Sequence, residues 1–500
     1  MKSRKLGILL SYINTGLNMV CGLFLSSYLL RMLGAEDYGI YQTVASFANY
    51  LVMLQFGTGT VMTRNISMCR AKNAPQKEIE QNVNAIWSIA CMLSILIAAI
   101  GIVFYVSIDR IYVRTLDAAQ LRYAKTIFLY VLVHLISSFV LQTMSGAVLA
   151  YENYGFSALL GITRTLLRTL VLAALVYRYR YARVIAEIDA LISMVQLFFV
   201  ALYVRKRLKI RMKLVKPDRE IMQVTMPLCI ALFMQTLINQ ANNNVDKFLI
   251  GILLSPESVS VYSVAMYVYS IFSSMTTIPI SMYAPMIAKE VQLGTDMRFM
   301  EKSLIGPCRM IAIIGGAIYF GFIAAGRQFV SVVYGTEYLI AWPIALLIMT
   351  PMYINMINGV LVNVLDALNR RMARSIVLMI TTLANIILTI FWLQSWGIIG
   401  AALATALCTM VGQVVVMNLY YAKKLHIDVV GMYKNGLHGV LQWLVLSCLA
   451  AFGIGLVINN NMLSLIISVI VFISVFLSGY MWRGITDEEQ DMVKRICRRR

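Results

Sequence analysis

The chain has 500 residues, 60% of them hydrophobic and 13% charged, with a formal net charge of +20. Soluble proteins carry about 25% charged residues, and disordered chains lack this much apolar content, so both classes are excluded. In so apolar a chain the Lys and Arg excess reads first as membrane-topology bias, and no nucleic-acid partner is expected.

A membrane-spanning helix needs about 20 mostly apolar residues. Fourteen segments meet this, near 6–30, 38–62, 83–108, 126–150, 156–177, 184–204, 224–252, 259–287, 304–325, 339–362, 375–395, 398–421, 440–458 and 463–482. The expected fold is an all-α membrane protein. The first span carries Ser11, Asn14 and Asn18 and is too long and polar for a cleaved signal peptide. Span four contains His134, read as a hydrogen-bonded packing residue.

Span five contains Arg164 and Arg168, four apart and therefore on one helix face. At about 1.5 Å per residue they lie roughly 12 and 18 Å deep. An arginine at mid-bilayer costs about 2.5–3.5 kcal/mol on insertion scales, so such groups are functional candidates by default. Two partners fit: an acid on a neighbouring span, or an anionic substrate held by guanidinium forks. The nearby acids, Glu187 and Asp189, sit toward the outer end of span six. A cavity visited by a diphosphate is therefore the more economical expectation. Between the two spans, Tyr177 to Arg183 alternates tyrosine and arginine, which reads as an interfacial anchor.

The segment from Val204 to Lys216 alternates basic and apolar residues and is expected to lie on the anionic inner leaflet. Span seven is rich in amides, Asn243 among them, and carries Asp246 and Lys247. Its readings are a polar cavity lining with Asp246 and Lys247 as coupling groups, or interhelical packing. Pro279 and Pro285 should kink or break span eight. Arg309 lies about 8 Å into span nine, where snorkelling competes with a place in a substrate cavity.

With both termini on the cytoplasmic side, the inner segments hold 30 Lys+Arg and the outer loops 9. That asymmetry predicts the orientation. Offset by 221 residues, Leu33, Glu36 and Tyr41 fall on Leu254, Glu257 and Tyr262. This offset equals six spans, so two parallel six-helix lobes are expected, with spans thirteen and fourteen added outside the repeat. The boundaries are 1–204 for the N-lobe, 205–223 for a basic linker, 224–421 for the C-lobe, 422–482 for the extra spans and 483–500 for a basic tail.

Four stretches carry a family resemblance. They are Leu33 to Tyr41, Phe56 to Thr60 with Arg64, Val245 to Gly251 with Val261 to Ala265, and Trp396 to Thr405. In this order they resemble the Wzx-type oligosaccharide-lipid flippases of the multidrug/oligosaccharidyl-lipid/polysaccharide (MOP) exporter superfamily. The resemblance implies a two-lobed bundle in the bacterial cytoplasmic membrane. It would move an undecaprenyl-diphosphate-linked glycan outward by alternating access, for capsule, exopolysaccharide or O-antigen synthesis, in contact with a polymerase and glycosyltransferases. Lipid II flippases carry an Arg-Asp pair where this chain has Leu25-Ser26, which disfavours that cargo.

No G-x-x-x-x-G-K-[ST] and no H-E-x-x-H occurs, so no ATP hydrolysis through a P-loop, resident metal or cofactor is expected. Short outer loops argue against a membrane glycosyltransferase or polymerase, and the protein is expected not to be an enzyme. The nearer rival is a cation-coupled multidrug exporter, which would be expected to need cavity acids where this chain has mainly bases.

Overall fold

The computed structural model describes residues 2–215, 219–293, 297–368, 370–458 and 460–485. Cys497, Lys216 and most of the basic tail lie outside them. Among the described residues the chain is helical throughout, with no β-strand. Two compact units divide it at Ser260/Val261.

The first unit holds α1 (Lys2–Leu51), α2 (Thr58–Ala71), α3 (Gln76–Ile111), α4 (Ala118–Ala150), α5 (Tyr154–Tyr179), α6 (Arg183–Lys206) and α7 (Arg219–Leu253). From α8 (Pro256–Gln292) the second unit continues through α9 (Met297–Val333), α10 (Ala341–Ile357), α11 (Gly359–Ala367) and α12 (Arg371–Cys408). A π-helical segment, Thr409–Val416, leads into α13 (Met417–Lys424). The unit ends with α14 (Val429–Leu437), α15 (Val440–Val457) and α16 (Asn461–Gly479).

Ten described helices are long and apolar enough to cross a membrane, or eleven when the bent pair α10 and α11 counts as one span. Two of the ten, Ile13–Ala71 and Arg371–Lys424, have 59 and 54 residues. At about 1.5 Å per residue, each exceeds twice a hydrocarbon core of about 30 Å. Glycine interrupts both. Gly34 (φ 82°) and Gly397 (φ 59°) adopt backbone angles that a side chain disfavours. Both lie where the sequence pattern puts a turn between spans. The chain is thus a multi-pass membrane protein. Its outward-facing apolar side chains, such as Ile95, Val103, Phe198 and Leu456, suit a lipid solvent.

Local signals set the helix ends. The Asp117 carboxylate accepts from the N–H groups of Ala119 and Gln120 at 2.8 and 2.7 Å, and the Gln120 amide oxygen accepts from the Asp117 N–H at 2.9 Å. This capping box starts α4. The expected second span is broken at Phe56 and Gly57, both left-handed, between a short 3₁₀ turn and α2. The next glycine permits close packing: a Cβ on Gly146 would fall 2.2 Å from the Gly59 carbonyl oxygen. Thr58 and Thr143 share a hydroxyl hydrogen bond of 2.7 Å across the same α2–α4 contact.

Pro279 and Pro285 lie inside α8, which stays helical through both, so of the kink or break expected there the break does not occur. The linker after α6 is not helical, and its residues alternate in burial as its sequence pattern alternates in polarity. Ile210 is 1% exposed and packs with Leu208 and Met212, while Arg207, Lys209, Arg211 and Lys213 point outward. Two side chains of α3 hold this strap: Asn84 Oδ1 accepts from the Lys213 N–H at 2.8 Å, and Ser88 Oγ from the Val215 N–H at 2.9 Å.

Candidate functional site

The first unit encloses a polar cavity of about 390 Å³ between α1, α4, α5 and α6. Its walls include Asn14 and Asn18 of α1, His134 of α4, Arg164 and Arg168 of α5, and Asp189 of α6. The polar face of α5 repeats at helical spacing, with Arg164, Thr165, Arg168 and Thr169 all on the wall. The face of α1 does the same with Asn14 and Asn18.

The two arginines differ. Arg168 grips Asp189 with two parallel bonds, Nε to Oδ1 at 2.5 Å and Nη2 to Oδ2 at 2.9 Å. By sequence position alone, Asp189 lies too near the outer end to serve. The hairpin of α5 and α6 places Arg168 about five residues deeper than Asp189, and the long arginine side chain spans that offset. The Asp189 side chain is 11% exposed, so this carboxylate is neutralised inside the protein. Arg164, one turn away, lines the same cavity, and no hydrogen bond or ion pair is found for it among the described residues.

The other walls are fixed by neutral bonds. Thr165 Oγ1 donates to Asn18 Oδ1 at 2.6 Å, tying α5 to α1. Asn18 Nδ2 donates to the Asn14 carbonyl oxygen at 2.9 Å. Gly161 makes room for this wall, since a Cβ there would lie 2.6 Å from Asn14 Nδ2. His134 Nδ1 lies 3.0 Å from the Asp189 carbonyl oxygen and 2.7 Å from Ser193 Oγ. The histidine is held as a packing residue would be, yet it faces the cavity.

The remaining candidates lie elsewhere. Asp246 is 5% exposed in α7, and neither it nor Lys247 lines this cavity. Part of the amide run of α7 joins it to α1, since Asn49 Nδ2 donates to Asn244 Oδ1 at 3.3 Å; within α7, Asn244 Nδ2 donates to Gln240 Oε1 at 2.6 Å. The side chain of Asn243 lies outside the described ones. Arg309 does not snorkel. It is 3% exposed in the second unit, where Nη1 donates to the His438 carbonyl oxygen at 2.6 Å and Nη2 to that of Gly484. Those carbonyls end the short helix α14 and the π-helical turn after α16, and the guanidinium satisfies both.

Sequence reasoning missed Asn14 and Asn18 as cavity residues, and Asp189 as the partner of Arg168. The signal was present for the asparagines, because an i,i+4 amide pair in an apolar helix marks one polar face.

A family model described as polysaccharide biosynthesis protein matches residues 6–290, more than half of the chain. The chain belongs to the polysaccharide biosynthesis protein family. A curated relative, the probable low-salt glycan biosynthesis flippase Agl15 of Haloferax volcanii, is 25% identical over 171 residues. That match covers 34% of this chain and 36% of the relative, so it spans about a third of each. The fold of this polysaccharide biosynthesis protein is similar to those of solved membrane transporters. It is similar to a structure of the lipid II flippase MurJ in an inward closed conformation, with a TM-score of 0.71, 16% identity, and coverage of 95% of this chain and 98% of that one. It is also similar to an inward-facing multidrug resistance MATE family transporter of the MOP superfamily, with a TM-score of 0.56, 13% identity, and coverage of 84% and 99%.

Proposed function

We propose that this protein is a flippase for lipid-linked oligosaccharides, moving a diphosphate-linked glycan across the bacterial cytoplasmic membrane by alternating access. The observation that carries this reading is Arg164, a guanidinium lining a polar cavity beside an arginine that already has its carboxylate. Within that cavity Asp189 balances Arg168, so Arg164 supplies an excess positive charge. A phosphate oxygen pair suits it, because the planar fork donates two parallel bonds. Neutral amides and hydroxyls on α1 and α5 suit the sugar hydroxyls of the same cargo. Glycans for capsule, exopolysaccharide or O-antigen fit this reading, as do contacts with a polymerase and glycosyltransferases, both termini in the cytoplasm, and a transport cycle without a chemical step on the cargo.

The multidrug-exporter alternative is disfavoured by the same geometry. A cationic drug would need a free acid, and the acid in this cavity is held by both of its oxygens.

The test is flipping of a lipid-linked glycan by purified protein in proteoliposomes. Losing a charge-assisted bidentate contact costs about 1.5–3 kcal/mol, so Arg164→Ala should flip roughly ten- to a hundredfold more slowly at unchanged thermal stability. Arg164→Lys, which keeps the charge and loses the fork, should fall between. Normal flipping by Arg164→Ala would overturn the reading.

A further inference from the structure

His134 has one ring nitrogen that the packing uses and one that it leaves over. On the packed side, Nδ1 lies 3.0 Å from the Asp189 carbonyl oxygen and 2.7 Å from Ser193 Oγ. Ser193 Oγ donates its own proton to that same carbonyl at 2.8 Å. A carbonyl oxygen only accepts, and the serine proton is already engaged, so Nδ1 must carry a hydrogen. In the neutral ring the other nitrogen, Nε2, is then the bare one, an acceptor and a base. No partner is found for Nε2 among the described residues, and it is not sealed from solvent. His134 lines the polar cavity of the first unit, so Nε2 is the open end of the ring.

The surroundings decide what that lone pair can do. Arg164 and Arg168 of α5 and Asp189 of α6 are the charged groups that act on the ring. Helix α1 contributes Asn14, Asn18 and the Cys21 thiol to the cavity, with Tyr38 and Tyr41 near Arg168. Arg168 and Asp189 neutralise each other through their two parallel bonds. That leaves Arg164 as the excess charge, and the anion it attracts would lie in the same cavity as Nε2. A negative charge nearby favours the protonated form of an imidazole, whose second nitrogen then donates rather than accepts.

We infer that His134 is a second ligand for the anionic headgroup of the cargo, and that it takes up one proton on Nε2 as that headgroup binds. This role rests on the flippase reading above and adds a titratable group to its site. The proton comes from bulk water and forms the Nε2–H bond; no bond of the cargo is made or broken. The Nδ1 hydrogen stays on its two oxygens throughout, so the ring is held in place while its free nitrogen changes from acceptor to donor. A sugar hydroxyl could donate to the neutral Nε2, but an uncharged group gives no reason for a proton to be taken up. Proton uptake therefore separates a headgroup ligand from a sugar ligand.

The test is calorimetric titration of the full-length protein in detergent with farnesyl diphosphate. Repeating it in buffers of different ionisation enthalpy counts the protons exchanged on binding. Wild type should take up about one proton more than His134→Asn, whose amide keeps a donor toward Asp189 and Ser193 and has no titratable nitrogen. The diphosphate's own titration is common to both proteins and cancels. With one proton linked to binding, the affinity of wild type should fall by up to about tenfold more than that of the variant between about pH 7 and about pH 8. His134→Gln, which carries its amide nearer to where Nε2 lies, is the second variant and should also bind without the extra proton. An equal proton count in wild type and in either folded variant would overturn the role of His134 and leave the flippase reading standing. Failure of wild type to bind the diphosphate at all would overturn both.

Discussion

Two arginines within the expected spans, one in each unit, show how the same group serves different ends. Arg168 meets a carboxylate beside a polar cavity. Arg309 meets two backbone carbonyls with its own side chain sealed from solvent. The first arrangement leaves neighbouring polar groups free to meet a ligand. The second completes helix ends and leaves the guanidinium nothing to offer. The units differ in the same sense more widely. Within the expected spans, the first unit contains Arg164, Arg168, Glu187, Asp189, Asp246 and Lys247, whereas the second contains Arg309 alone. The second unit relies instead on neutral networks. Asn358 Nδ2 donates to Asn418 Oδ1 at 2.9 Å, the Tyr433 hydroxyl donates to Asn358 Oδ1, and Asn355 Nδ2 donates to Gln413 Oε1 at 2.7 Å. These bonds join the bent pair α10 and α11 to the π-helical segment, α13 and α14. The lesson is that intramembrane charge marks a site only when its partner leaves space beside it.

The largest expected effect comes from breaking the ion pair. Removing one member of a buried pair costs about 3–5 kcal/mol, and the 31% exposure of Arg168 places Asp189→Ala near the lower end. Thermal melting in detergent should drop sharply for Asp189→Ala. The double variant Arg168→Met, Asp189→Leu should recover most of it, because well-packed apolar residues replace buried pairs at little cost. If the double variant melts as low as the single one, the pair is not an isolated stability unit.

Next is Arg309→Ala, which strips donors from the carbonyls of His438 and Gly484, at about 1–3 kcal/mol in all because His438 is itself exposed. Its melting temperature should fall while the flipping rate per folded molecule stays near wild type. A lost rate at full stability would instead give Arg309 a part in transport.

A smaller structural change, with a functional readout, is Asp246→Asn. The substitution keeps shape and removes the charge from a residue that is 5% exposed. Membrane accumulation should be normal and complementation of a flippase deletion poor. Normal complementation would confine the charges that matter to the α5–α6 cavity. The smallest effect should come from Asn49→Ala, which loses the bond to Asn244. Such interhelical bonds average about 0.6 kcal/mol within membranes, so a melting shift of only a degree or two is expected.

Much of the architecture was legible in the sequence. Apolar length marked the helical, membrane-spanning character of the chain, because transfer free energies act residue by residue. Arg164 and Arg168 were recognisable as one face for the same local reason, and Gly34 and Gly397 lie in the gaps that apolar length leaves between spans. What lay beyond the sequence was every pairing between helices. Asp189 looked too near the outer end of α6 to neutralise an arginine of α5 until the hairpin placed its carboxylate within reach of the Arg168 side chain. Arg309 looked like a snorkelling side chain until the ends of α14 and α16 were placed over it. Pro279 and Pro285 left a kink or a break open until α8 proved helical through both. A residue's own chemistry fixes whether it can lie in a membrane and in which secondary structure. Its partner is fixed by which surface another helix brings within about 3 Å, and that distance is decided by the packing of the whole bundle.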